Sequence, residues 1–216
     1  MSDPKRIIES GYDAMADRFG AWQKGITGST RLGKLDQLLA RLPDHPDVLE
    51  LGSGAGVRST RILAERGRLT GVDISVEQVR RARERVPGAT FVHADFAEIE
   101  LRAASFDAVV AFYVFNHVSQ EELPSLLDRI AVWLRPGGYL LASFPTRDNP
   151  GWQGEWLGVQ MFFAGHAPDA NRRLVEEAGL VVVLDELETI VEPEPDPGEG
   201  TWQWLLARRP EVDRGT

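Results

Sequence analysis

The chain has 216 residues, 43% hydrophobic and 26% charged, which is enough for one substantial core in a globular protein. A net charge of −9 argues against a broad phosphate-backbone footprint, and the lack of cysteine removes disulfides, thiolate metal sites and a thiol nucleophile. The N-terminus has no signal-peptide core and the longest apolar run, residues 108–115, is too short to cross a bilayer, so the expected setting is cytoplasmic and away from membranes.

Two amphipathic segments come first, residues 4–19 and 29–42, the second carrying Leu35, Leu38, Leu39 and Leu42 on one helical face. Strands and helices then alternate: a buried strand at 47–51, a helix at 56–66 and a strand at 68–73. A helix from Ser75 opens on a capping box, with Gln78 three residues on. Strands follow at 89–94 and 106–112. A second box, Ser119 and Glu122, opens a helix with Leu123, Leu126, Leu127, Ile130 and Leu134 on one face. Pro136-Gly137-Gly138 stops that helix, and 139–144 is the next strand. Residues 145–167, rich in glycine and aromatics, break the alternation as an irregular insert. A helix at 168–179 and strands at 180–191 and 201–209 close the chain; only the acidic, proline-rich residues 192–200 join those two strands, so they should lie antiparallel.

The pattern predicts one α/β domain with a doubly wound, mostly parallel sheet and an antiparallel last strand. Residues 1–45 would form an N-terminal helical cap, 46–144 a ligand-binding core, 145–167 a substrate-side insert, and 168–216 the last helix and strand pair.

"VLELGSGAG", residues 48–56, runs an apolar strand into Gly52-x-Gly54-x-Gly56. Glycines between strand and helix let a ligand approach the backbone. A dinucleotide fingerprint would place a further glycine where Val57 stands, which weakens an NAD-dependent oxidoreductase reading. Asp73 ends the second strand 21 residues after Gly52, where a carboxylate suits a ribose diol. Asp95-Phe96 follows the third strand and suits an adenine, with an acid for its amino group and an aromatic for its face. The three features share one sheet edge and describe a nucleoside site.

"VLELGSGAG", "GVDIS", "HADF", "FDAVVAF" and "LRPGGYLLAS" resemble, in order and spacing, the motifs of class I S-adenosylmethionine-dependent methyltransferases, over roughly residues 5–145. The resemblance implies a Rossmann-like fold and S-adenosyl-L-methionine as cofactor. It implies that Gly52, Ser53 and Gly54 pack on the methionine part, with Glu50 toward its amino group. Asp73 would hold the ribose, Ile74 cover the adenine, and Asp95 and Phe96 hold its edge. The backbone near Ala111 and Phe112 would meet the methionine again, and Tyr12 resembles an N-terminal lid tyrosine.

A sulfonium methyl is already electrophilic, so alignment and water exclusion are the main tasks, and a base is needed only if the nucleophile carries a proton. His117, on the active edge, is the first candidate base; its alternative role is to hold its loop through a backbone hydrogen bond. His166 in the insert is the second. His45 is expected at the surface and His93 in the core. No metal is expected. The aromatic insert marks Tyr113, Trp152, Trp156, Met161 and Phe162, together with Phe163, as an acceptor wall, or else as an accessory core. The acidic loop at 192–200 could steer a cationic substrate or be a solvated turn. The expected partner is a small, largely apolar methyl acceptor, not nucleic acid, and the protein a monomer or homodimer. The alternative is a methyltransferase-like cofactor-binding protein with a regulatory or different catalytic role.

Overall fold

A computed structural model describes residues 3–194 and 197–211. The chain opens with helix α1 (Pro4–Gly25), whose first turn is capped by the Asp3 carboxylate accepting from the Lys5 amide, and continues with α2 (Arg31–Leu39). It then runs through β1 (Asp47–Leu51), α3 (Arg58–Arg66), β2 (Arg68–Asp73), α4 (Val76–Arg85), β3 (Thr90–His93) and β4 (Phe106–Ala111). A short 3-10 turn (Phe115–His117) leads to α5 (Leu123–Trp133), β5 (Leu134–Pro145), β6 (Asn149–Trp156), β7 (Val159–Gly165), α6 (Pro168–Glu177), β8 (Val181–Glu192) and β9 (Gly198–Arg208).

The described residues form a seven-stranded sheet of order β3-β2-β1-β4-β5-β9-β8, in which β9 is antiparallel to both neighbours and the first five strands are parallel. This is the Rossmann-like arrangement expected. Both faces of the central strands are buried. Leu49, Leu51, Val109, Leu140 and Ala142 pack beneath α5 and α6, whereas Val48, Ala108, Val110 and Leu141 pack with α2 and α3 residues Leu35, Leu38 and Leu63. That two-sided burial is why these strands read as continuous apolar runs rather than alternating ones. Register aligns Leu51 with Val72 and with Ala111, and Asp73 with His93, so four strands end on one edge. Ligands of open α/β sheets bind at that edge.

The Ser75 hydroxyl accepts from the Gln78 amide at 3.1 Å and caps α4 as expected. Ser119 also accepts from Glu122, at 3.3 Å, but α5 starts only at Leu123, and Leu134 belongs to β5 rather than to the helix face, where Trp133 takes its place. Helix α1 runs past residue 19 to Gly25.

The insert is not irregular. Residues 149–165 form an antiparallel hairpin, β6 on β7, pairing Trp152 with Phe163 and Trp156 with Val159. Its two turn residues, Leu157 (φ +48°) and Gly158 (φ +73°), are both left-handed, the conformation a two-residue hairpin turn demands. Leucine is a poor choice there by local preference. Burial against Met15 and Met161 overrides it.

Candidate active site

At the end of β1 the Gly52 and Ser53 amides both donate to the Val72 carbonyl, at 2.8 and 3.2 Å, which folds the loop back over β2. Gly52 has φ +64°, and a Cβ there would stand 2.4 Å from the Val114 Cγ2. Gly54 has φ +53° but nothing within 4 Å of its would-be Cβ. It faces a cavity of about 690 Å³ that opens along the sheet edge.

Asp73 lies beneath this loop. Its Oδ2 accepts from the Gly54 amide at 2.8 Å and its Oδ1 from the Ser75 amide at 2.9 Å. Burial raises its pKa to about 6, against the lowering effect of those two amides. Each oxygen keeps a lone pair for a ligand hydroxyl. Glu50, on the α2 and α3 face of β1, is 3% exposed. Its Oε1 accepts from the Thr60 hydroxyl at 3.1 Å, while its Oε2 has no partner. Burial pushes its pKa up to about 8, Thr60 and the Arg31 charge opposing and Asp73 adding to the rise. The Arg31 guanidinium sits over the Tyr113 ring at 4.6 Å.

Several cavity-lining residues share this condition. Ser53 Oγ, Ser59 Oγ, Gln78 Nε2, Asn116 Oδ1 and Trp22 Nε1 are, like Glu50 Oε2, buried without a hydrogen-bond partner. Buried polar atoms are nearly always paired, and each exception costs about 1–3 kcal/mol. Six line one cavity and turn a row of free donors and acceptors toward the space a polar ligand would take.

Helix α1 lies lengthwise over the cavity. Lys5 bridges Asp95 (2.5 Å) and Glu122 (2.6 Å) at one end. At the other, Thr27 bridges to Val191 of β8. Between them the Tyr12 hydroxyl meets the His117 Nε2 at 2.7 Å, and the His117 Nδ1 meets the Phe162 carbonyl at 2.8 Å. A carbonyl can only accept, so Nδ1 carries the proton, Nε2 accepts, and Tyr12 donates. Burial lowers the His117 pKa to about 4 although the Phe162 carbonyl opposes this. Burial also pushes the Tyr12 hydroxyl well above the usual phenol range, the Asp73 charge adding to it. At neutral pH both are uncharged and spent on each other. In this arrangement the His117 ring is held between the Tyr12 hydroxyl and the Phe162 carbonyl.

The far end of the cavity is aromatic. Trp22 stands edge-on to Trp156 with centroids 5.1 Å apart, Trp156 to Phe163 at 5.5 Å, and Tyr113 to Trp202 at 4.9 Å. Tyr113 is held in a left-handed conformation (φ +54°), its amide donating to the Ser143 hydroxyl at 2.6 Å and its hydroxyl to the Glu188 carboxylate at 2.5 Å. Glu155, Glu192, Glu199 and Arg147 also line this end. Pro195 and Asp196, in the acidic loop, lie outside the described residues.

The cavity wall brings together Tyr12, Glu50, Gly52, Ser53, Gly54, Asp73, Ile74, Asp95, Phe96, Phe112, Tyr113, His117, Trp152 and Trp156. Four expected residues have side chains off this wall, Ala111 among them although the expectation there concerned its backbone. Ala111 points into the core with Leu51 and Val109. Met161 is fully buried against Met15 and Leu157, and Phe162 against Ile8 and Ala164, because α1 covers both. His166 follows β7 off the cavity wall, its Nε2 buried and unpartnered. His93 is not a core residue either; its half-exposed ring reaches the Ile74 carbonyl at 2.8 Å. Sequence reasoning missed Lys5, Trp22, Arg31, Asn116 and Trp202. The spacing of Lys5, Ile8, Tyr12, Phe19, Trp22 and Ile26 along one helix face was a usable signal; Arg31 and Asn116 carried none. Among the described residues no group of three or more potential ligands could hold a metal, and no helix is long and apolar enough to cross a membrane.

A family described as a methyltransferase domain matches residues 48–138. The chain is 32% identical over 182 residues to a trans-aconitate 2-methyltransferase of Azoarcus sp. (strain BH72), covering 72% of this chain and 70% of that protein. The chain belongs to the S-adenosylmethionine-dependent methyltransferases. A probable methyltransferase of this family from Mycolicibacterium smegmatis is 38% identical over 112 residues, 51% of this chain and 42% of that protein, so the match spans less than half of that relative. The fold matches Burkholderia thailandensis 1,6-didemethyltoxoflavin-N1-methyltransferase, solved with S-adenosylhomocysteine, at a TM-score of 0.65 and 21% identity over 98% of this chain and 92% of that one. The methyltransferase family uses S-adenosylmethionine, and the loop, acids and unpartnered polar atoms suit such a ligand in chemistry.

Proposed function

We propose that this chain transfers a methyl group from S-adenosylmethionine to a small, largely apolar molecule. The row of buried, unpartnered polar atoms along one cavity carries the reading. In it Glu50 Oε2 accepts from the α-ammonium group, and Arg31, which has no carboxylate partner among the described residues, takes the carboxylate beside it. Asp73 accepts from the ribose hydroxyls. Ile74 and Phe96 cover the adenine, and Asp95, fixed by Lys5, holds its edge. The cofactor supplies an electrophilic methyl carbon, so the chain's own task is to align the acceptor and keep water out. Helix α1 and the β6–β7 hairpin do the excluding, joined through the Tyr12–His117–Phe162 chain. The helical cap, core and insert serve as parts of one domain. The acceptor reaches it by diffusion in the cytoplasm, with neither nucleic acid nor membrane involved.

Calorimetric titration with S-adenosylhomocysteine, S-adenosylmethionine and NADH tests this. Both adenosyl ligands should bind, NADH should not, and Glu50→Gln and Asp73→Asn should each weaken binding roughly 10- to 100-fold, the worth of a hydrogen bond to a charged group. Absence of adenosyl binding at millimolar concentration would withdraw the reading.

A further inference from the structure

We propose that Glu188 of β8 is a positioning residue, one that sets the Arg31 guanidinium on the cavity wall without meeting the ligand itself. The proposal rests on the reading above, in which Arg31 takes the cofactor carboxylate, and it names the residue that decides where Arg31 stands. Arg31 and Tyr113 line the cavity, whereas Glu188 and Thr30 lie behind them.

Two local rules are broken around Glu188. Along β8, Glu188 and Ile190 are buried while Leu187, Thr189 and Val191 are exposed. Strand alternation favours an apolar side chain at 188, and a carboxylate stands there instead, 6% exposed. Thr30 is the N-cap of α2, where a threonine hydroxyl ordinarily accepts from an amide of the first turn. It makes no such cap. Its hydroxyl and its amide both donate to the Glu188 Oε2, the amide at 2.5 Å. Negative charge at a helix N-terminus is favourable, and here it is supplied from a strand 158 residues away.

The other oxygen reaches the second support of Arg31. Glu188 Oε1 accepts from the Tyr113 hydroxyl at 2.5 Å, and the Ser29 hydroxyl meets the same phenol at 2.9 Å. Arg31 follows Thr30 directly, and its guanidinium lies over the Tyr113 ring at 4.6 Å. One carboxylate thus fixes both the backbone from which Arg31 projects and the aromatic face on which its head rests. The linker before it is pinned as well: Thr27 and Val191 exchange two backbone hydrogen bonds, at 3.1 and 3.0 Å. A free arginine samples many rotamers, and holding it in place before the ligand arrives removes that ordering cost from binding. Burial works to raise the Glu188 pKa, but the Thr30 and Tyr113 donors work the other way and the carboxyl sits below its usual range. Glu188 is therefore ionised at neutral pH, as three donors require.

The test compares S-adenosylhomocysteine with 5′-deoxy-5′-methylthioadenosine, which keeps the adenosine and the sulfur but lacks the amino-acid part, by calorimetry on the intact chain. Glu188→Ala should weaken S-adenosylhomocysteine about tenfold, the worth of a hydrogen bond to a charged group, and leave the thioadenosine affinity in place. Arg31→Met should do the same. Adding Glu188→Ala to Arg31→Met should cause no further loss, because both act through one guanidinium. Glu188→Gln keeps an acceptor for Thr30 and should lose only about threefold. A residue that merely holds the fold together would lower both affinities in parallel or neither. An unchanged ratio of the two affinities in Glu188→Ala, or a further loss of about tenfold on the Arg31→Met background, would overturn the proposal. Should the alanine variant fail to fold, Thr30→Val decides by the same ratio, a fall of about threefold supporting the proposal and no fall refuting it. Failure of the parent to bind S-adenosylhomocysteine, or an Arg31→Met variant that binds it as tightly as the parent, would instead overturn the underlying reading, and this proposal with it.

Discussion

Replacing Glu50 with glutamine should stabilise the protein while crippling its ligand binding. The carboxyl is 3% exposed, and burial raises its pKa from 4.5 to about 8. The folded value lies above the unfolded one, so the group's contribution is fully present below pH 4.5 and is lost as pH rises toward 8. At pH 7 the unfolded chain ionises this carboxyl freely, whereas the folded chain keeps it largely protonated. Each pH unit in that window is worth about 1.4 kcal/mol, so the roughly 2.5 units up to pH 7 amount to about 3 kcal/mol. Glutamine keeps the size and an acceptor for the Thr60 hydroxyl, and it does not titrate. Glu50→Gln should therefore match the parent at pH 4.5, exceed it by about 3 kcal/mol at pH 7, and level off above pH 8. Urea unfolding across that range measures it. Calorimetry of S-adenosylhomocysteine in buffers of different ionisation heat adds a second reading. The parent should release close to one proton near pH 7 as the carboxyl ionises against the ammonium, and the variant none. Parallel stability curves for the two proteins would refute the reasoning, whatever happened to affinity.

His117→Gln tests the opposite titration. The parent imidazole, depressed to about 4 from 6.5, contributes stability above pH 6.5 that is lost as pH falls through 4, about 3 kcal/mol in all; the variant's acid limb in denaturant unfolding should be flatter by that amount. Tyr12→Phe leaves the His117 Nε2 without a donor and should cost about 1–2 kcal/mol in the same assay. Gly52→Ala meets both a left-handed backbone and the Val114 methyl, and should cost about 2–4 kcal/mol. Gly54→Ala has only the backbone strain, about 1–2 kcal/mol, yet should lose more ligand affinity than Gly52→Ala loses by strain alone, since its methyl projects into the cavity.

The legible parts of the sequence are those where one local requirement decides the outcome. The order of strands and helices follows from strands buried on both faces, such as residues 106–112, and from caps such as Ser75. The glycine-loop end of the cavity was readable because glycine spacing and strand-end acids carry chemistry in fixed places. The aromatic end was not, because its residues are chosen by tertiary contact. Leu157 occupies a left-handed turn position that asparagine or glycine would advertise, so the hairpin stayed hidden. Met161 and Phe162 differ from Phe163 in nothing the sequence displays; only the path of α1 decides which is covered. Period-3.6 spacing located α1, but that Tyr12 would consume the His117 lone pair depends on a contact 105 residues apart.

Stability and function oppose each other along this cavity, and the opposition is specific. Glu50 Oε2, Ser53 Oγ, Ser59 Oγ, Gln78 Nε2, Asn116 Oδ1 and Trp22 Nε1 have no protein partner, and pairing them within the protein would add about 1 kcal/mol each to a fold whose total margin is about 5–15 kcal/mol. A sequence selected for stability alone would fill these positions with apolar side chains. The adjoining pairs show the reverse tendency: Tyr12 with His117, Lys5 with Asp95 and Glu122, and Glu188 with Tyr113 are satisfied within the protein. The satisfied groups join α1, the hairpin and β8 to the sheet edge, and the unsatisfied ones face what those elements enclose. Ligand binding should therefore tighten the whole lid, and amide exchange in α1 and β7 should slow on adding S-adenosylhomocysteine while exchange in β4 stays unchanged. Slowing confined to the glycine loop would mean that lid closure and the polar wall are independent.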